Sequence, residues 1–360
     1  MRLIHVVPTL PPPLEGVGTY ALALAGALAT GHGIESRFLV GDPGWRGEAE
    51  HPARALAART ASELASTLAT EGPGAVLVHY ANYGYARRGC PGWLVAGLLA
   101  HRREAGGRLL AFFHELWASG PPWASSFWLG PWQRRLVRRL ARAADWRGTS
   151  LPLYADLLAR YLPRPSVAVM PVFSTVGEPP AVPPLGARPR RLVVFGGTGA
   201  RERAFGPSGS ALERACRELG IEEVREIGPP LPWVPRQVAG VPVRSLGALP
   251  AEQVSRELLG AAAGFLAYPP EFLGKSTIFA AYAAHGLLPV CAAEAARWPA
   301  DPPLWRPGQS AGEEVLEAIA GAAHAWYGGH SLAQQAGVVA EILGRGSRER
   351  FKSLATHERP

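Results

Sequence analysis

Lysine is almost missing from this chain. Of its 37 basic residues only Lys275 and Lys352 are lysine, so each one kept invites a specific role. Cysteine is scarce too: Cys90, Cys216 and Cys291 are three, odd in number and far apart. With no Cys-x-x-Cys pair and no Cys/His cluster, neither a disulfide framework nor a zinc site is indicated, and a reducing compartment fits. No apolar run reaches the roughly 18 residues that suggest a membrane span. Leu3–Val7 is too short for a signal peptide and is broken by Pro8. A cytoplasmic protein is expected. No Asp-x-Asp pair occurs, so no metal is expected. A dinucleotide fingerprint is incomplete, because Ala21 stands where its third glycine belongs. A P-loop is excluded by Pro269 at the position of its first glycine.

What is present is globular composition. Hydrophobic residues make up 48% and charged residues 18% of 360 residues, enough for two α/β domains. The net charge of +8 suits phosphate-bearing ligands, anionic membranes or nucleic acid. No nucleic-acid-binding motif accompanies that charge, so nucleic acid is not an expected partner.

The first half alternates strand and helix. Apolar runs at Leu3–Val7, Ser36–Val40, Ala75–His79 and Arg108–Phe113 predict strands. Thr19–Ala29, Ala53–Ala69, Gly92–Ala105 and Trp132–Ala144 predict helices. Ser174–Arg190 carries five prolines without periodicity and reads as an inter-domain linker. The alternation then restarts. Strands are predicted at Arg191–Phe195, Val224–Ile227, Val241–Leu246, Gly264–Tyr268 and Leu288–Cys291. Helices are predicted at Ser210–Leu219, Ala251–Ala262 and Thr277–His285, with a last one at Ser331–Leu343 that could pack back on the first domain. Two doubly wound domains with a cleft between them are expected, with domains at 1–175 and 188–330 and a C-terminal helical segment at 331–360.

Ligands of such sheets sit beyond the carboxyl ends of strands, so residues there carry the argument. Gly16 and Gly18 lie between the first strand and first helix, where a backbone can approach an anion at a helix N-terminus. His114-Glu115 ends a strand, and such a histidine can hydrogen-bond a sugar hydroxyl or act on a proton. Tyr80 follows another strand, and Trp117 follows His114 closely. Gly196-Gly197-Thr198-Gly199, with Arg201 and Arg203, suits a diphosphate. Either arginine could serve.

The most informative stretch is Glu271–Val290. Gly274-Lys275-Ser276-Thr277 opens a helix, and an ammonium, a hydroxyl and helix N–H groups together make an anion site. Glu271 can accept hydrogen bonds from a diol. A further stretch, Trp117–Trp146, holds five tryptophans and an arginine-rich helix with Arg134, Arg135, Arg138, Arg139 and Arg142. Trp132, Leu136, Leu140 and Ala144 fall on the opposite face. That helix suits packing on the sheet, an acceptor pocket, or peripheral contact of Trp132–Arg142 with an anionic inner membrane face.

Taken together, the chain resembles the retaining glycosyltransferases of family 4, with the GT-B fold. The likeness rests on Gly16 and Gly18, on His114-Glu115, on Ala143-Ala144-Asp145 through Ser150 and on Val169–Phe173. It continues in Leu246-Gly247-Ala248-Leu249, in Glu271 to Gly274 and in Gly286 to Val290. The family pairs two glutamates eight positions apart; here Glu271 is present and Phe279 stands at the second position. The resemblance implies metal-independent transfer of a hexose, with retention, from a UDP- or GDP-sugar to a hydroxyl acceptor. That acceptor would be a glycan, a small molecule or a lipid-linked group. It implies His114, Glu271 and Lys275 as catalytic. Gly16, Gly18, Gly197, Thr198, Arg201, Arg203, Gly274, Ser276 and Thr277 would hold the donor, and Glu115, Tyr80 and Trp117 the acceptor side. No cofactor beyond the donor is implied. The alternative is a catalytically silent GT-B-like binding or scaffold protein.

Overall fold

The short apolar runs become buried parallel strands. The computed structural model describes residues 1–11, 16–118, 120–163, 166–292 and 302–357, with side chains as far as 344. The chain divides into two compact units: Met1–Pro171 with Leu332–Pro360, and Val172–Ser331.

In unit 1 the strands are β1 (Arg2–Val7), β2 (Glu35–Val40), β3 (Ala53–Ala55), β4 (Ala75–Tyr80), β5 (Leu109–Phe113), β6 (Trp146–Thr149) and β7 (Ala168–Val169). They form one parallel sheet in the order β3-β2-β1-β4-β5-β6-β7. Helices α1 (Gly16–His32), α2 (Ala61–Thr70), α3 (Asn82–Tyr85), α4 (Gly92–Ala105), α5 (Ser125–Ala143) and α6 (Pro152–Ala159) connect them. β4 and β5 are buried along their whole length, as strands covered on both faces must be. The chain builds outward from β1 to β3, then crosses back to β4 on the other side of β1. That reversal makes a switch point between β1 and β4.

Unit 2 repeats the scheme. Its strands are β8 (Arg191–Phe195), β9 (Glu223–Ile227), β10 (Gln237–Val238), β11 (Val241–Ser245), β12 (Ala263–Leu266) and β13 (Leu288–Cys291). Their order is β10-β11-β9-β8-β12-β13, parallel except for β10 with β11. The helices are α7 (Thr198–Phe205), α8 (Gly209–Glu218), α9 (Ala251–Leu259), α10 (Thr277–Ala284) and α11 (Glu313–Gly328). The reversal here lies between β8 and β12.

The last helix, α12 (Leu332–His357), belongs to unit 1. The Tyr20 hydroxyl donates to Gln335 Oε1 at 2.5 Å, and Gln335 Nε2 donates to the Pro171 carbonyl at 2.6 Å. Arg108 donates to the carbonyls of Ile342 and Leu343.

Two segments differ from their sequence reading. Ala53–Ala69 is not one helix: Ala53–Ala55 pairs with β2, and the helix starts after Thr60. The reason is a cap, since Thr60 Oγ1 accepts from the Glu63 N–H at 3.2 Å. The proline-rich Ser174–Arg190 is no loose tether. Buried Arg188 within it donates to the carbonyls of Pro183, Ala261 and His285, and the Ser174 N–H donates to the Tyr327 hydroxyl. Burial pushes the Arg188 guanidinium down to about 10. Among the described residues no helix is long and apolar enough to cross a membrane.

Candidate functional site

At the switch point of unit 2, Val194 and Phe195 of β8 and Phe265 and Leu266 of β12 end beside a crevice. Arg203 of α7 and Ser276, the N-cap of α10, also line it. The two strand ends are held together from below. Buried Tyr282 of α10 donates its hydroxyl to the carbonyls of Val193 and Phe265 and accepts from the Phe195 N–H. Gly264 allows this, because a Cβ there would come within 2.5 Å of the Tyr282 ring.

The glycine loop after β8 leads into α7, with Gly197 as its N-cap and Thr198 as its first residue, both exposed. The two arginines of that helix part company. Arg201 is fully buried: it pairs with Glu226 and donates to the carbonyls of Gly196 and Pro229. Its expected contact with a diphosphate is therefore corrected; these three contacts clamp the glycine turn onto the end of β9. Arg203 is exposed at the crevice, with Nε donating to the Ala267 carbonyl at 3.4 Å.

The stretch from Glu271 supplies the other wall. Pro270–Lys275 forms a 3₁₀ turn, with Glu271 exposed and Lys275 half-buried, its Nζ 5.5 Å from the Phe272 ring centre. Gly274 accepts from the Val172 N–H through its carbonyl, and Thr277 is the first residue of α10. Ser276 Oγ accepts from the Phe279 N–H at 3.2 Å. The side chain of Phe279 is fully buried, edge-on to Trp326 of α11 with ring centres 5.4 Å apart. The position where the family carries its second glutamate is here part of the core.

In unit 1 the sites divide differently. Gly18 is explained by packing: a Cβ there would lie 2.4 Å from the Thr9 carbonyl oxygen. Gly16 meets no such neighbour among the described residues. Tyr80 is corrected from the acceptor side to the core, since it is 0% exposed and its hydroxyl has no hydrogen-bond partner among the described residues. Glu115 is half-buried, and Trp117 is half-buried between Tyr161 and the Arg134 guanidinium.

His114 is buried at the carboxyl end of β5, and it is not alone. Its Nε2 lies 3.2 Å from His79 Nδ1; His79 Nε2 lies 3.0 Å from His5 Nδ1; and His5 Nε2 lies 3.2 Å from Ser36 Oγ. Tyr20 meets the His114 ring edge-on at 5.0 Å. Burial pushes His5 and His79 well below the ordinary imidazole value, and the neighbouring imidazole adds to it in each case. The sequence reading missed His5, His79 and Tyr20. The one signal was a lone histidine inside each of two otherwise apolar strands.

The arginine-rich helix starts earlier than expected, at Ser125, and its buried stripe is Gln133, Val137, Leu140 and Ala141. Trp132 is therefore on the outside, 62% exposed, in line with Trp128 one turn before it and Arg135 and Arg139 after it. Gln133 ties loops to this helix, accepting from the Ala118 N–H and donating to the Arg88 carbonyl. Among the described residues no cluster of His, Cys, Asp or Glu could hold a metal ion.

No family model and no curated protein matches the chain. Solved structures do. A glycosyltransferase from Rickettsia africae is 10% identical with TM-score 0.57, over 96% of this chain and 98% of that one. A protein from Listeria monocytogenes assigned as a UDP-N-acetylglucosamine 2-epimerase is 13% identical with TM-score 0.53, over 98% and 97%. An alpha-glucosyltransferase in complex with UDP-glucose and DNA is 10% identical with TM-score 0.53, over 92% and 95%. The fold is GT-B, with two Rossmann-like doubly wound units.

Proposed function

We propose that the chain is a glycosyltransferase that moves a hexose from a nucleoside diphosphate sugar, UDP or GDP, to a hydroxyl acceptor. The observation that carries this reading is the crevice between β8 and β12. There Arg203, Ser276 and the N-terminal ends of α7 and α10 meet at the switch point of a GT-B fold. Exposed N–H groups, a guanidinium and a nearby ammonium are what a departing diphosphate needs. Arg203 and Lys275 carry its charge, Gly197 and Thr198 approach it by backbone, and Glu271 accepts from hydroxyls of the donor. His114 is assigned to the donor sugar, and Glu115 and Trp117 to the acceptor side. The reaction is metal-independent because cations and helix ends take the leaving-group charge. Retention follows from the sequence resemblance. The neighbour solved with UDP-glucose supports the choice of donor.

The test is Lys275→Ala assayed with a panel of UDP- and GDP-sugars. A fall in kcat on the order of 100-fold with an unchanged melting temperature is expected. Unchanged activity overturns the assignment of the diphosphate. The silent-scaffold reading draws on Phe279, and it prevails if calorimetry finds no binding of UDP or GDP to a folded protein.

The acceptor is a hydroxyl of a glycan, a small molecule or a lipid-linked group, and α5 argues for the last. Its outer line runs from Trp128 and Trp132 to Arg135 and Arg139, beside exposed Trp123 and Phe127. Aromatic rings at one end and arginines at the other suit an anionic lipid surface. Sedimentation with vesicles containing phosphatidylglycerol should capture the protein, and Trp128→Ala with Trp132→Ala should release it. Equal capture by neutral vesicles counts against this contact.

A further inference from the structure

The three histidines of unit 1 come from β1, β4 and the end of β5, and Ser36 from β2. Their alignment is a consequence of register. Ser36 pairs with Leu3, and His5 lies two residues further along β1. His5 pairs with Leu77, and His79 lies two residues further along β4. His79 pairs with Phe112, and His114 lies two residues further along. Each step to the next strand thus advances two residues, about 6.6 Å, toward the carboxyl edge. The line begins near the amino end of β2 and finishes at His114. Every member is buried, and Phe38 stacks on His5 with ring centres 4.8 Å apart.

Hydrogen-bond arithmetic then restricts the rings. A neutral imidazole has one donor nitrogen and one acceptor nitrogen. His79 uses both in the chain, one toward His5 and one toward His114. If His79 Nδ1 carries the proton it donates to His114 Nε2, so His114 must carry its own proton on Nδ1. The same logic puts the His5 proton on Nδ1, with the Ser36 hydroxyl donating to His5 Nε2. If the direction is reversed, all three rings carry the proton on Nε2, and His5 donates to Ser36. A mixture would set two protons or two lone pairs face to face in a buried site, at the full cost of an unmade hydrogen bond.

We propose that His79, backed by His5 and Ser36, is a positioning residue that sets the tautomer of His114, with all three rings sharing one tautomer. His114 thereby presents one defined hydrogen-bonding character at Nδ1, its ring nitrogen outside the chain. The consequence for turnover rests on the assignment of His114 to the donor sugar; the coupling of tautomers does not.

The test is ¹⁵N NMR of the histidine rings in the full chain at mildly alkaline pH, where ring nitrogens with and without a proton have widely separated shifts. The expected spectrum shows His5, His79 and His114 all as the Nδ1–H form or all as the Nε2–H form. In His79→Phe the ring-nitrogen signals of His114 should shift as the constraint from His79 is lost. Unlike tautomers among the three rings overturn the proposal. So does a His114 signal unmoved in a folded His79→Phe. Should that variant not fold, Ser36→Ala decides: it should move the ring signals of His5 and, by less, those of His114, and unmoved signals refute the coupling. With a sugar nucleotide, His79→Phe should lower kcat roughly tenfold with little change in KM. If the spectra show coupling but the unaltered protein turns over no sugar nucleotide, the functional reading fails and the coupling stands.

Discussion

The two units share a topology and differ at the same place in it. Each sheet reverses direction beside its first strand, and each reversal carries polar side chains. In unit 2 the reversal opens on a crevice with exposed Arg203 and two helix ends, and half-buried Lys275 precedes Ser276 in its wall. In unit 1 it is filled by a buried line of imidazoles, of which His5 and His79 are pushed toward the neutral form by desolvation. One reversal is cationic and open, which suits an anion. The other is neutral and closed, which suits a fixed hydrogen-bonding direction. Topology says where a ligand can sit, and the side chains at that point decide which kind.

The comparison is broken most forcefully at Arg201. If it clamps the glycine turn through Glu226, Arg201→Met should cost about 3–5 kcal/mol in chemical denaturation, because a buried carboxylate loses its partner. Replacing Glu226 by Met as well should recover much of that loss. A variant of full stability but weakened nucleotide affinity would return Arg201 to the crevice. Next comes Phe279→Glu, which restores the residue type of the resembled family. The carboxylate would be buried beside Trp326, at a cost of about 3 kcal/mol with no gain in UDP affinity. Thermal melting and calorimetry read the two parts separately.

The smallest effect is acid sensitivity. Burial pushes His285 in unit 2 down to about 4 from its ordinary 6.5. Between those values the unfolded chain takes up a proton that the folded one refuses. Stability should therefore fall as pH drops through that window, and remain intact above it. His5 and His79 act in the same sense in unit 1. His285→Gln should flatten the slope of stability against pH between about 6.5 and 4; an unaltered slope would show that His285 ionises normally in the fold.

Much of the fold is legible in the chain. Gly92–Ala105, Arg191–Phe195 and Leu288–Cys291 fold with the bounds that their apolar patterns predict. α7 escaped notice because it grows out of a glycine loop and has no apolar stripe. β3 escaped because three residues at a sheet edge carry no period. Of the candidate site, the helix that opens at Ser276-Thr277 could be read locally, since a capped helix after a strand is a local pattern. Arg201 and Arg203 could not be told apart, because nothing nearby in sequence announces Glu226.

The amino-acid sequence by itself determined the alternation of strand and helix, the restart after the proline-rich segment and the strand, turn and capped helix around Lys275. These depend on hydrophobic period and local chemistry, which neighbours in sequence settle. Tertiary structure decided which polar groups stay available. The parallel register brought Ser36, His5, His79 and His114 into one line. The end of β9 took Arg201 out of reach. Register and pairing are set by packing between strands far apart in the chain, so no local pattern records them.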